Sequence, residues 1–170
     1  MDLDPLATEA RNPRSTLLDV MPLADLLAVM NDEDATVAGA VRAVLPDISR
    51  AVELVAAALR AGGRLVYLGA GTSGRLGLLD AAECSPTFGT DPGQVLGLIA
   101  GGREAVLSAV EGAEDDPGRA LSDLEAIGLE ARDVVVGLAA SGRTPYVVAG
   151  LERARAVGAV TVSVACNPGR

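Results

Sequence analysis

Leu65-Val66-Tyr67-Leu68 runs directly into Gly69-Ala70-Gly71-Thr72-Ser73-Gly74, and Val134-Val135-Val136-Gly137-Leu138 runs through two alanines into Ser141-Gly142-Arg143-Thr144-Pro145. Each is an apolar run of strand length delivered into a loop of glycine and hydroxyl residues that opens a helix. Such a turn leaves backbone N–H groups unpaired at the positive end of the helix macrodipole, a setting that suits a dianionic phosphate. Two such loops can hold one phosphate from two sides.

Working outward, the same alternation continues. Val95 to Ile99 and Val160 to Val164 read as two further strands, and helices are expected over 75–82, 104–110, 118–127 and 145–157. Near-continuous apolar strands alternating with helices specify an α/β fold, a parallel sheet with helices on both faces. In such a sheet ligands bind at the C-terminal ends of the strands, near a switch in strand order. Upstream the period is helical. Pro22 to Met30 reads as a short helix, the Asn31-Asp32-Glu33-Asp34 run as its break, and 35–44 as a second helix. A longer amphipathic helix follows from Pro46 to Leu59, and residues 1 to about 18 read as an irregular lead. The domains expected are therefore an N-terminal lead with helices over 1–45 and the sheet domain over 46–170.

Composition narrows the chemistry. The 170 residues are 49% hydrophobic and 22% charged, enough for one cored domain. There is no histidine and no lysine, so neither an imidazole triad, a Schiff base nor a P-loop lysine can be built from these residues. Proton transfer falls to carboxylates, with Tyr or Cys as minor candidates. A net charge of −9 and only two Tyr and one Phe argue against nucleic acid and anionic membranes as partners. No run is long enough to span a bilayer, and Met1-Asp2-Leu3-Asp4-Pro5 has no signal-peptide character, so a cytoplasmic location is expected. Cys84 and Cys166 are far apart without metal-ligand spacing, which fits a reducing compartment.

Alternatives to the phosphate loops are specific. Gly69 to Gly74 has the G-x-G-x-x-G spacing of a dinucleotide turn, but that site calls for an acid at the end of the next strand, and Leu98-Ile99-Ala100-Gly101-Gly102 supplies none. A plain structural turn is the other alternative. In the second loop, one hydroxyl is accounted for as an N-cap and Pro145 as a first-turn residue. Arg143 reads equally as a charge clamp or a solvated side chain. Among the acids, the 111–116 cluster reads as a solvated helix end, with metal binding the weaker option for lack of a diagnostic loop. Glu83, between Ala82 and Cys84, is an acid among small apolar neighbours, a setting that raises a carboxyl's pKa and suits it to proton transfer. Cys84 reads as a small core residue.

Taken together, 68–77, Asp80-Ala81-Ala82-Glu83-Cys84, Val110-Glu111-Gly112-Ala113-Glu114-Asp115 and Ala139 to Tyr146 closely resemble the N-acetylmuramic acid 6-phosphate etherase family of the sugar isomerase (SIS) superfamily. Thr8-Glu9, Asn12-Pro13 and Asn31-Asp32-Glu33-Asp34 match its N-terminal part. The resemblance implies a flavodoxin-like three-layer sandwich. It also implies a cofactor-free, metal-free lyase that removes D-lactate from the C3 ether of the sugar phosphate, in amino sugar catabolism and cell-wall recycling. By the family's motif, Glu83 and Glu114 are the catalytic acid/base pair. Thr72, Ser73, Ser141, Gly142 and Thr144 fall in the phosphate loops. Family sites are completed across a homodimer, so either glutamate is expected to serve the neighbouring subunit's sugar. The family pattern continues past Asn167-Pro168-Gly169, so a partial SIS domain is expected here. A non-catalytic sugar-phosphate-binding module or an inactive fragment is the alternative.

Overall fold

The computed structural model describes residues 6–167. Contacts divide the chain into two units, one ending at Val52 and one beginning at Glu53. The first unit contains two single-turn 3-10 segments, Ala7–Glu9 and Pro13–Ser15, and then α1 (Leu23–Ala43). The irregular lead expected over 1–18 thus holds from Leu6; residues 1–5 lie outside the described part. The expected break at Asn31 to Asp34 is absent, and α1 is one helix of 21 residues. That run contains no Gly or Pro to interrupt the backbone, and it sits on a solvated face. Arg14 pairs there with Asp32 at 2.6 Å and Glu33 at 3.1 Å, exposed contacts worth at most about 1 kcal/mol each. α2 (Leu45–Arg60) crosses from one unit into the next.

The second unit carries the sheet. Four parallel strands, β1 (Leu65–Gly69), β2 (Val95–Ile99), β3 (Val134–Leu138) and β4 (Val160–Val164), lie in the order β2-β1-β3-β4. They coincide with the four apolar runs to within one residue. Alternate residues point to opposite faces. Val66, Leu68 and Val135 join Ala120, Leu124, Tyr146, Val147 and Ala154 in one core, covered by α5 (Pro117–Ala126) and α6 (Pro145–Val157). Leu65, Val134 and Val136 pack with Val55, Ala58 and Leu59 of α2 on the other face. There α3 (Gly71–Phe88) also lies against β1 and β2. Helices therefore cover both faces, the sandwich anticipated from the strand pattern. Each fully buried Val or Leu contributes about 1.5–3 kcal/mol.

Two helices differ in extent from the sequence reading. α3 begins at Gly71 and runs to Phe88, with Pro86 inside its last turn, where it removes one helical N–H donor without ending the helix before the left-handed Gly89. α4 is only Glu104–Leu107, and Ser108 is already extended. Two carbonyls of this segment are claimed from outside: Arg75 on α3 donates from Nε to the Val106 carbonyl at 3.1 Å and from Nη2 to that of Ser108 at 3.4 Å.

At the N-terminal ends of β1 and β3, Asp133 is 1% exposed and accepts from both Arg64 and Glu130. This is the best-satisfied ionic group of the sheet unit. It lies at the opposite end of the strands from the two loops.

Candidate functional site

The strand order places the switch point between β1 and β3, since the chain moves from β1 to β2 on one side and then to β3 on the other. Gly69 pairs in register with Leu138, so the two loops leave neighbouring strands about 4.8 Å apart. In the first loop the Gly69 carbonyl accepts from Ala100 N at 3.0 Å, and the Gly74 N–H makes the first helical bond, to Ala70. Ala70, at the N-cap, has no side chain able to cap the helix. The amides of Gly71, Thr72 and Ser73 precede that first bond and open α3 without a capping group. The loop is tight: a Cβ on Gly74 would lie 2.7 Å from Ile99 Cγ1 and 2.8 Å from the Gly69 carbonyl oxygen. Ser73 is half-buried beside it and Thr72 is exposed.

The second loop is built by different contacts. Gly142 adopts φ +71°, a left-handed conformation that a side chain would disfavour, and its N–H bonds the Ala139 carbonyl. Ser141 Oγ accepts from the Arg143 N–H at 3.1 Å. Thr144 occupies the N-cap of α6 yet makes no capping bond. Neither hydroxyl serves the helix cap that the structural reading of this loop assigned to one of them. Behind the loop, the buried Asn167 amide donates to the Ala140 and Ser141 carbonyls at 3.3 and 3.1 Å. One residue into α6, the fully buried Tyr146 hydroxyl donates to Asp123 on α5 at 2.6 Å. Arg143 is half-buried.

A cleft of about 190 Å³ adjoins the first loop, between Ala70, Gly71 and Arg75 on one side and Glu111 and Glu114 on the other. Glu114 lies on a 3-10 turn, Ala113–Asp115, whose Ala113 is buried in the core and which packs against α6. The helix opened by the second loop thus supports the acid that faces the first. Thr72, Ser73, Ser141, Gly142 and Thr144 do not line this cleft. Glu83 is not brought to it either. It is exposed on α3, twelve residues beyond Gly71, or about 18 Å along the axis. Its apolar surroundings in sequence do not become burial within a single chain. The exposed Leu76 and Leu79 share its helix face, 59% and 58% accessible.

Three of the minor proton-transfer candidates, Tyr67, Tyr146 and Cys84, are biased toward their protonated forms. Burial, then Asp80, pushes the Tyr67 phenol well above its ordinary range; burial, then Asp123, does the same to Tyr146. Burial also raises the half-buried Cys84 thiol, with Asp80 adding to it. Among the described residues, no three His, Cys, Asp or Glu side chains converge as a metal site, and no helix is long and apolar enough to cross a membrane. Arg75, within 68–77, and Asn167 act here as braces that no sequence motif marks. Their spacing carries no signal, because both act on backbone carbonyls remote in sequence.

Residues 47–155 match the family described as the glucokinase regulatory protein N-terminal SIS domain. The chain belongs to this SIS family. The SIS domain seen here is similar in sequence to N-acetylmuramic acid 6-phosphate etherase of Mycolicibacterium smegmatis, 67% identical over 167 residues, covering 98% of this chain and 56% of that protein. It is also similar to N-acetylmuramic acid 6-phosphate etherase 1 of Vibrio cholerae, 59% identical over 169 residues, covering 99% and 56% respectively. The resemblance carried by the loop and glutamate motifs is thus borne out as a likeness to proteins so named. The chain spans a little over half the length of these curated relatives, 56%. In three dimensions the SIS domain is similar to phosphoheptose isomerase of Neisseria gonorrhoeae, with a TM-score of 0.65 at 20% identity over 85% of this chain and 75% of that one. That likeness bears on the fold alone.

Proposed function

We propose that this SIS domain binds N-acetylmuramic acid 6-phosphate and takes part in a cofactor-free lyase reaction that releases D-lactate and leaves N-acetylglucosamine 6-phosphate. The observation that carries the reading is the placing of two uncapped hydroxyl loops on neighbouring strands at the switch point, with Glu114 facing the first across a cleft. The likeness to etherases over 98% of the chain supports it. In the open-chain sugar, the C1 aldehyde acidifies the C2 proton and places the C3 ether β to the carbonyl. Loss of the C2 proton and cleavage of the C3–O bond form the C2–C3 alkene, while the departing lactyl oxygen gains a proton. Water then adds its hydroxyl to C3 and a proton returns to C2. Glu83 is assigned as acid/base in elimination, protonating the leaving oxygen, and Glu114 as the group that assists water addition. Thr72, Ser73, Ser141, Gly142 and Thr144 supply the phosphate contacts with the adjacent amides.

The remoteness of Glu83 from the cleft of its own chain gives the homodimer a definite role. Glu83 of one copy serves the sugar held by the other, and the exposed Leu76 and Leu79 beside it provide an apolar surface for that approach. A second reading, a sugar-phosphate-binding module without turnover, is favoured by the regulatory-protein family that residues 47–155 match. Incubation with N-acetylmuramic acid 6-phosphate and enzymatic assay of D-lactate separates the two. Lactate release that Glu83→Gln abolishes, with binding retained, supports the lyase. Binding without lactate supports the module, sugar interconversion without lactate indicates an isomerase, and absence of binding overturns all three.

A further inference from the structure

Arg75 is the only cation lining the cleft, among the described residues, and Glu111 and Glu114 line the same cleft. It lies four residues after Gly71, on the helix face that carries the first loop. Its guanidinium is already oriented: Nε and Nη2 are held by the Val106 and Ser108 carbonyls. Those bonds occupy one edge of a planar group with five N–H donors. Both Nη1 donors and one on Nη2 make up the remaining fork, the geometry that matches a carboxylate with two parallel bonds. No carboxylate of the described residues lies within ion-pair distance of it, whereas Arg14, Arg64, Arg119 and Arg132 each have one. A half-buried cation fixed by neutral carbonyls, with no carboxylate within ion-pair distance, thus lines the cleft.

We propose that Arg75 receives a second anionic group on the bound sugar phosphate, a carboxylate such as the lactyl carboxylate, and so sets specificity for the acid-bearing sugar over its plain counterpart. This rests on the sugar-phosphate reading above. The phosphate is held by the amides that open α3, while the carboxylate meets the fork one turn further along the same helix. The same side chain tethers the 106–108 segment that leads to Glu114, so the grip on the substituent is mechanically joined to the wall bearing the acid.

The test is calorimetric titration of N-acetylmuramic acid 6-phosphate and N-acetylglucosamine 6-phosphate in a Glu83→Gln background, chosen so that turnover does not convert one ligand into the other. The parent is expected to prefer the carboxylate-bearing ligand by about tenfold or more, as a charge-assisted bidentate pair allows. Adding Arg75→Gln removes that preference and leaves the affinity for N-acetylglucosamine 6-phosphate within about twofold. Arg75→Lys, which keeps the charge without the fork, restores part of it. Equal loss for both ligands, or loss of all binding, would reduce Arg75 to a brace and overturn the proposal, as would a parent without preference. The lactate assay is read separately on the unmutated protein. An Arg75-dependent preference without lactate release upholds this inference and defeats the lyase reading, whereas lactate release without that preference does the reverse.

Discussion

Replacing Asp133 by Asn tests whether the sheet depends on one buried ionic group. The carboxylate accepts from Arg64 N at 2.9 Å and Arg64 Nε at 3.2 Å on Oδ1, and from Arg64 Nη2 at 2.6 Å and Glu130 N at 2.9 Å on Oδ2. Asparagine keeps the volume but only one acceptor, so an NH₂ group faces two donors and the charge is lost. Breaking a buried pair from one side typically costs about 3–5 kcal/mol. Arg64 is one-quarter exposed and keeps its bonds to the Ile127 and Gly128 carbonyls, which places the loss near about 3 kcal/mol. For a chain of this size that is a fall in Tm of about 6–12 °C. The pH dependence has a fixed sign. Burial pushes the Asp133 pKa up, but the Arg64 hydrogen bonds, the two backbone N–H groups and the guanidinium charge outweigh it and leave the folded value lowered. Its contribution is therefore complete above the unfolded value of about 3.9 and is lost as pH falls through the folded one. Urea melts followed by circular dichroism should show the full gap between parent and variant at pH 7 and a smaller gap at pH 3. A gap below about 0.5 kcal/mol at pH 7, the ordinary scatter of surface substitutions, or one that widens on acidification, would show that the buried carboxylate does not stabilise the sheet. Sugar-phosphate affinity measured well below the melting temperature should not change, because Asp133 lies at the far end of the strands from the loops.

Two further substitutions probe the loops. Ser141→Ala removes the oxygen that accepts from the Arg143 N–H and should weaken N-acetylglucosamine 6-phosphate by about 1–2 kcal/mol, roughly 5- to 30-fold by calorimetry; unchanged affinity would take the second loop out of the phosphate site. Gly74→Ala sets a Cβ 2.7 Å from Ile99 Cγ1 and 2.8 Å from the Gly69 oxygen. It should cost about 1–3 kcal/mol in thermal or urea unfolding, and displacement of the first loop should weaken ligand binding as well; wild-type stability and affinity together would show that the turn tolerates the methyl group.

The strands were legible because their signal is local. Val134 to Leu138 and Val160 to Val164 are buried-strand runs whatever surrounds them, and α6 follows its Pro145 start to its glycine end at Gly158. The helices fared worse where the signal was an inference about interruption. The Asn31 to Asp34 run, three acids after an asparagine, looked like a break, yet a solvated helix face tolerates it. The segment after Glu104 looked helical to Val110, yet its carbonyls are taken by Arg75 from 31 and 33 residues away.

Residue types and spacings within about ten residues of one another were enough to specify the parallel α/β architecture and the two loops, and to exclude imidazole and lysine chemistry among these residues. Only the three-dimensional packing shows that the loops leave adjacent strands, that Glu114 rather than Glu83 lines the cleft beside the first loop within one chain, and that Arg75 lines the same cleft while held by the Val106 and Ser108 carbonyls. Each of those depends on strand order and on contacts between segments distant in the chain. Apolar patterning encodes which face of an element is buried, but not which neighbour buries it.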